Sequence, residues 1–176
     1  GFYLNELDHL SETLIQLDKT GHKVLLLGVS FALLNLIEKT SFQLKNTIVM
    51  ETGGMKGRRK EMIRKELHDL LSNGFGVKDI HSEYGMTELL SQAYSKGKSK
   101  FKCPPQMKIL IRDTEDPFHY LSHGKTGGIN VIDLANKDSC AFIATQDLGK
   151  QLTTQEFEVL GRFDNSDVRG CNLLVL

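Results

Sequence analysis

The run Lys23-Val-Leu-Leu-Leu-Gly28 constrains the fold more than any other stretch of the chain. Uninterrupted apolar residues suit a strand covered on both faces, as in a parallel sheet, because a strand with one wet face alternates apolar and polar positions. Parallel strands need a crossover, usually a helix, and the flanking sequence supplies helices on both sides. Leu4, Leu7, Leu10, Leu14 and Leu17 recur at helical spacing among Asp, Glu and Lys, and Thr20-Gly21 ends that helix. Phe31 to Glu38 reads as a second helix, with Ser30 as its N-cap. Thr47-Ile-Val-Met50 is the next apolar strand, and it runs into a glycine-rich turn. Met62, Ile63, Leu67, Leu70 and Leu71 then mark one face of a third helix between Lys60 and Ser72, closed by Asn73-Gly74. Helix alternating with strand predicts an α/β architecture: a largely parallel sheet with flanking helices.

The texture changes after Lys96-Gly-Lys-Ser-Lys100, which reads as a solvated linker. Met107 to Arg112, Gly128 to Asp133, Cys140 to Ala144 and Phe157 to Leu160 are short apolar or alternating runs punctuated by Gly, Asp and Asn. With no helical stretch between them, they predict a small β-rich subdomain, an antiparallel sheet or partial barrel. The expected division is an α/β subdomain over 1–100 and a β-rich subdomain over 101–176. Lys plus Arg and Asp plus Glu both count 22, so the balanced charge argues against a nucleic-acid partner. No apolar run approaches the ~18 residues of a membrane span. Three cysteines, Cys103, Cys140 and Cys171, are widely spaced without a CxxC pair, which fits free thiols in a reducing cytoplasm.

In open parallel sheets, ligands sit beyond the C-terminal ends of the strands, and two polar turns fall there. The first is Glu51-Thr-Gly-Gly-Met-Lys-Gly-Arg-Arg59. Glycines allow close approach of the backbone to a flat or anionic group, and Lys and Arg supply charge. No GK[ST] follows, so this is not a Walker loop, and a plain strand-to-helix turn is the simpler reading. The second is His81-Ser-Glu-Tyr-Gly-Met-Thr-Glu88. A hydroxyl beside a carboxylate, Thr87 and Glu88, suits one phosphate oxygen together with magnesium. Alternatively, Thr87 caps a helix running from Glu88 through Leu90. His9, His22, His68, His119 and His123 lack metal-ligand spacing and read as solvent or loop histidines; His81 lies nearest the turn.

Three segments in order carry a resemblance. Tyr84-Gly-Met-Thr-Glu88 resembles the YGxTE core of the adenylate-forming enzymes, the acyl- and aryl-CoA synthetase superfamily. Ala144-Thr-Gln-Asp-Leu-Gly149 is similar to that superfamily's TGD-type segment, and Gly161-Arg-Phe-Asp-Asn-Ser-Asp-Val-Arg-Gly170 to its GRxDDxxxxxG segment. Met50 to Arg59 together with Tyr84 to Tyr94 looks more narrowly like the acyl-protein synthetase of bacterial bioluminescence, the fatty-acid activating component of a reductase complex. The resemblance runs from about Lys23 to Val175.

This resemblance implies ATP and Mg2+, and a long-chain fatty acid or other carboxylic acid that is activated as acyl-AMP and passed to a thiol. It implies contact of Thr87 with the α-phosphate and of Glu88 with magnesium. Asp147 would accept from the ribose hydroxyls with Arg162 assisting, and Tyr84 would stack on adenine beside Gly85. Gly53 and Gly54 would lie along adenine or the acyl chain, and Asp164 matches the hinge position. Cys171 is the acceptor thiol that the resemblance implies, whereas a cysteine in a strand is more often packing; Cys103 and Cys140, the latter inside an apolar strand, are weaker candidates. An acyl-reductase or acyltransferase subunit is the implied partner. A phenylacetate-type acyl-CoA ligase, or a non-catalytic adenylate-binding or interaction module, fits the same strings. Two departures stand out: Gln146 occupies the glycine position of the TGD-type segment, and the superfamily's Ser/Thr/Gly-rich phosphate loop does not precede Tyr84. The chain therefore reads as a C-terminal portion that binds adenylate weakly and does not turn over.

Overall fold

A computed structural model describes residues 1–54 and 62–163. The basic part of the first turn (Met55 to Arg59), Asp164 and Cys171 lie outside the described residues.

Helices and parallel strands alternate as the sequence predicts, but His81 to Tyr84, read as part of a polar turn after a strand ending at Ile80, is itself the third strand. Helix α1 is Leu7–Lys19, β1 is Val24–Val29, α2 is Ser30–Lys39, β2 is Thr47–Thr52, α3 is Arg64–Phe75 and β3 is His81–Tyr84. Strands β1, β2 and β3 pair in parallel. The remaining strands are β4 (Ala93–Ser95), β5 (Phe101–Lys102), β6 (Met107–Arg112), β7 (Thr126–Asp133), β8 (Phe142–Gln151) and β9 (Glu156–Arg162). All of them pair antiparallel, in the order β1-β2-β3-β4-β5-β9-β8-β7-β6. The strands expected as a partial barrel thus continue the first sheet through the β5–β9 pair. Register shifts between Gly128 and Asn130 and between Leu148 and Gly149 mark irregularities of the kind that bend a sheet. Gly149 is required where it stands: a Cβ there would come within 2.5 Å of Ile129 Cδ1 and 2.7 Å of the Glu158 carbonyl.

Two apolar clusters lie along this sheet. The first joins Leu14, Leu26, Leu33, Leu36, Val49, Leu71, Phe75 and Ile80, so the helices pack on the parallel strands. The second joins Tyr84, Phe101, Ile109, Ile129, Phe157 and Val159. Asp18 at the end of α1 fixes the approach to β2 through its carboxylate, which accepts Lys45 N–H, Asn46 N–H and the Thr47 hydroxyl at 2.7 to 3.1 Å. Burial alone would raise this carboxyl; the backbone donors and Thr47 together hold it below the ordinary range.

Several local expectations are corrected. Leu25 and Leu27 are 59% and 51% exposed, so β1 is open on one face. A run of apolar residues does not by itself tell which faces are covered. Ser30 is the first residue of α2 rather than its cap, and Val29 holds the cap position. The buried stripe of α3 is Arg64, Leu67, Leu71 and Phe75, while Ile63 precedes the helix and Leu70 is 42% exposed. That helix runs past Asn73-Gly74 and ends at Gly76, whose φ of 67° is a left-handed cap. Cys140 is exposed and precedes β8 instead of lying within it.

Candidate functional site

The site is built where β3, β8 and β9 end or bend. Tyr84 closes β3, and burial of its ring, 2% exposed, drives that placement. The ring packs edge-on against Phe157 and Phe101, with centroids 5.4 and 6.0 Å away. Its hydroxyl reaches out of this cluster and donates to Asp147 Oδ2 at 2.8 Å. Across the β8–β9 ladder Asp147 faces Arg162. The Arg162 Nε lies 3.8 Å from Asp147 Oδ1, and its Nη2 donates to Gln146 Oε1 at 2.9 Å. Thr145 braces the strand: its hydroxyl donates to the Ile129 carbonyl and accepts Asp147 N–H.

Burial pushes the Asp147 carboxyl above its ordinary range, and the Tyr84 hydroxyl and Arg162 guanidinium offset this only in part. With one short hydrogen bond, from Tyr84, the carboxylate keeps acceptor capacity for further donors. Asp147 borders a hollow of about 340 Å3 lined also by Gly53, Tyr84, Gly85, Met86, Glu88, Ile143, Ala144, Thr145, Gln146 and Arg162. That volume lies in the range of small-ligand sites.

After Tyr84 the chain turns at Thr87 and Glu88 without forming the alternative helix, and Leu89 N–H donates to the Met86 carbonyl at 3.0 Å. Leu89 is buried, and its packing leaves Thr87 and Glu88 outward. Both are exposed; Glu88 lines the hollow and Thr87, beside it, lines no part of it. Gly53 follows β2 with φ of 66°, a left-handed conformation that glycine adopts without steric cost. Gly54 is buried behind it and is not part of the lining. The structure thus brings together Gly53, Tyr84, Gly85, Glu88, Asp147 and Arg162. It leaves Thr87 at the rim and His81 away from the lining. Tyr84 meets the hollow with little of its ring, because the ring is committed to Phe101 and Phe157.

One polar cluster escaped the sequence reading. Glu51, 2% exposed, accepts from Arg64 Nη1 at 2.7 Å, lies 3.5 Å from His68 Nε2, and faces the Ser30 hydroxyl at 3.4 Å. Ser82 Oγ is 3.3 Å from the same His68 nitrogen, so His68 is not a solvent or loop histidine. Burial alone would raise Glu51, but His68, Arg64 and Ser82 hold it below the ordinary carboxylate range. The Ser30 hydroxyl also lies 3.3 Å from the Gly53 carbonyl, which ties this cluster to the edge of the hollow. The signal was present: Arg64, His68, Leu71 and Phe75 share one helical stripe at i, i+4, i+7 and i+11.

Of the cysteines described, Cys103 is half-buried, and burial pushes its thiol up to about 11. Cys140 is exposed, with its Sγ 3.4 Å from the Phe142 carbonyl. Lys96 to Lys100 connects β4 to β5 and lines a second, larger hollow of about 620 Å3 with Lys78 and Lys102, away from Asp147. Among the described residues no group of three His, Cys, Asp or Glu could hold a metal ion. A magnesium ion carried on phosphates needs only one or two carboxylates, and Glu88 on the rim fits that demand. No helix among the described residues is long and apolar enough to cross a membrane.

Known structures share this fold. MatB from Rhodopseudomonas palustris superposes with a TM-score of 0.61 at 18% identity, over 88% of this chain and 33% of its own. O-succinylbenzoate coenzyme A synthetase (MenE) from Bacillus subtilis, in complex with ATP and magnesium ion, gives 0.57 at 21% identity, over 87% and 34%. Coronafacic acid ligase from Pectobacterium brasiliense gives 0.60 at 19% identity, over 89% and 32%. The chain spans about one third of the length of each. No curated protein matches it. The architecture is that of adenylate-forming enzymes, and the acyl-protein synthetase family, LuxE, matches residues 5–176, so the chain belongs to the LuxE acyl-protein synthetase family.

Proposed function

We propose that this chain forms the nucleotide-gripping portion of an ATP-dependent acid–thiol ligase, which activates a long-chain fatty acid as acyl-AMP and transfers the acyl group to a cysteine thiol. The observation that carries the reading is the shared hollow. Asp147 on β8 and Glu88 on the turn after β3 lie 59 positions apart in sequence, yet they line one cavity with Gly53 and Arg162.

In this reading Asp147 accepts from the ribose hydroxyls. The Tyr84 hydroxyl fixes the orientation of that carboxylate, and Arg162 sets the charge beside it. Gly53 gives the adenine or acyl chain a backbone edge, with Gly85 in the wall after Tyr84; Gly54, buried behind Gly53, supports that edge. Thr87 at the rim holds an α-phosphate oxygen. Magnesium, carried on the ATP phosphates and held from the protein side by Glu88, supplies charge neutralisation at the phosphoryl centre. Phosphoryl-type displacement depends on positioning and charge more than on a general acid or base. A site with one acceptor carboxylate, one metal carboxylate and one guanidinium is suited to that task. The acceptor thiol is Cys171, and the hinge position is Asp164. A reductase or acyltransferase subunit takes up the acyl group, in the cytoplasm. MenE is described with ATP and magnesium ion, which supports the same pair of ligands here.

Calorimetry with a non-hydrolysable acyl-adenylate analogue tests the reading. The expected result is saturable binding that is lost in Asp147→Ala. Equal affinity in the wild-type and Asp147→Ala chains overturns it. In the full-length protein, Cys171→Ser separates protein acylation from a phenylacetate-type coenzyme A ligase. Loss of covalent acyl with adenylate formation intact is expected for the former.

A further inference from the structure

The turn that carries Glu88 is held from behind by two buried side chains on a different part of the sheet. Asp133, the last residue of β7, is fully buried. Its Oδ2 accepts Leu90 N–H at 2.9 Å and Ser91 N–H at 2.8 Å, and its Oδ1 accepts the Ser91 hydroxyl at 2.7 Å and Ala135 N–H at 3.1 Å. Asn136 ends the 3-10 turn Leu134–Asn136 and is 5% exposed. Its Nδ2 donates to the Glu88 carbonyl at 2.6 Å and to the Cys140 carbonyl at 2.9 Å. The backbone is therefore pinned on both sides of the buried Leu89, by its carbonyl at Glu88 and by its N–H groups at Leu90 and Ser91. Glu88, exposed on this pinned turn, borders the hollow.

The placement of these two residues matters as much as the bonds. The connection from Asp133 through Asn136 to Cys140 leads directly into β8, the strand that carries Asp147. Asn136 bridges that connection to the Glu88 turn. This buried joint ties the Glu88 turn to the connection that enters β8, in addition to the direct Tyr84–Asp147 hydrogen bond. Ion-holding groups on turns need such support, because a short turn does not by itself hold a side chain within about half an ångström.

We propose that Asp133 and Asn136 are positioning residues that set the Glu88 carboxylate for a divalent cation carried by the nucleotide, an inference that rests on reading the hollow as the adenylate site. Neither residue touches ligand. They act through the Glu88, Leu90 and Ser91 backbone. Loss of both Asn136 donors removes a bridge without creating a cavity in either apolar cluster, to which Asn136 does not belong.

The test is ATP binding by the 176-residue chain across a MgCl2 series and in EDTA, comparing wild type with Asn136→Ala. The magnesium concentration for half-maximal binding rises about fivefold to tenfold in the variant, the scale of one or two lost hydrogen bonds, while affinity in EDTA stays within about twofold. An unchanged magnesium dependence overturns the inference. So does an equal fall with and without magnesium, which marks a general loss of structure. Amide exchange of residues 86–91 in ligand-free protein is the second readout. It accelerates in Asn136→Ala and in Ser91→Ala, and unchanged exchange in both overturns the inference. Asp147→Asn separates the two levels. If it leaves ATP affinity intact, the adenylate reading fails and this inference falls with it. If it weakens ATP and Asn136→Ala leaves the magnesium dependence alone, only the positioning role fails.

Discussion

Asp133 and Asp147 lie on neighbouring strands of one sheet, yet their carboxylates are treated in opposite ways. Asp133 is sealed from solvent and surrounded by donors from Leu90, Ser91 and Ala135, which hold it below the ordinary carboxylate range against the raising effect of burial. Asp147 has one short bond, from Tyr84, and a guanidinium nitrogen 3.8 Å away, and burial pushes it up. A carboxylate whose lone pairs are all used supports the fold. One that is buried and under-supplied keeps capacity for a ligand's hydroxyls. The contrast separates the residue that shapes the turn from the residue proposed to bind.

Asp133→Ala gives the largest expected effect. It leaves several buried N–H and O–H donors without a partner and costs about 4 kcal/mol of stability at neutral pH, read as a fall in Tm. The folded carboxyl titrates lower than the unfolded one. Its contribution is therefore complete above the unfolded value near ~4 and is lost as pH falls through the lowered folded value. The Tm gap between wild type and variant accordingly narrows on acidification below ~4. A gap that widens there breaks the comparison.

Asp147→Asn comes second, and its effect falls on binding. Removing a charge-assisted acceptor weakens the adenylate analogue roughly tenfold to a hundredfold, while Tm stays level or rises slightly, because burial disfavours the charge that is removed. A large loss of Tm with unchanged affinity would make Asp147 a second Asp133.

Tyr84→Phe has a smaller effect and sharpens the point. The Tyr84 hydroxyl lowers the Asp147 carboxyl, so its removal moves that carboxyl further up. Wild-type affinity falls as the pH drops through the Asp147 titration, when protonation replaces an acceptor with a donor. The variant shows the same fall at higher pH, with a loss of about 1 kcal/mol in analogue binding near neutrality. A profile that does not move contradicts the link between the two residues.

The smallest effect concerns the thiols, which repeat the contrast of open and enclosed groups. Cys140 is exposed, whereas Cys103 is half-buried with its thiol pushed up to about 11. A thiol reagent at pH 7 modifies Cys140 faster than Cys103, and Cys140→Ser leaves nucleotide affinity unchanged.

How much of this the sequence discloses depends on how local the determining contacts are. The alternation from α1 to α3 was legible because each element carries its own periodicity, whereas β3, a polar His-Ser-Glu-Tyr run, reads as a turn. Tyr84, Glu88 and Asp147 stand out in the sequence because short strings carry them, at the end of β3, on the turn after it and within β8. Thr87 was read as equal to Glu88, since spacing along a turn does not tell which of two adjacent exposed residues borders a cavity. Asp133 and Asn136 went unread because Asp and Asn beside a strand end look like ordinary turn formers. Their partners lie 42 to 48 residues away. The Glu51, Arg64 and His68 cluster was hidden for a related reason: charged residues on a helix are expected to face water until a buried counter-charge is located. The exposed face of β1 was missed because Leu25 and Leu27 carry no sign of what covers them.

The central claim is that one AMP moiety spans Asp147 and the Glu88 turn. A crystal structure of the chain with the acyl-adenylate analogue and MgCl2 tests this most directly. The account predicts ribose hydroxyls within hydrogen-bond distance of the Asp147 carboxylate, the phosphate beside Thr87, and the metal on Glu88. Ligand density in the lysine-lined hollow of Lys78, Lys96 and Lys102, with the Asp147 hollow empty, would contradict it.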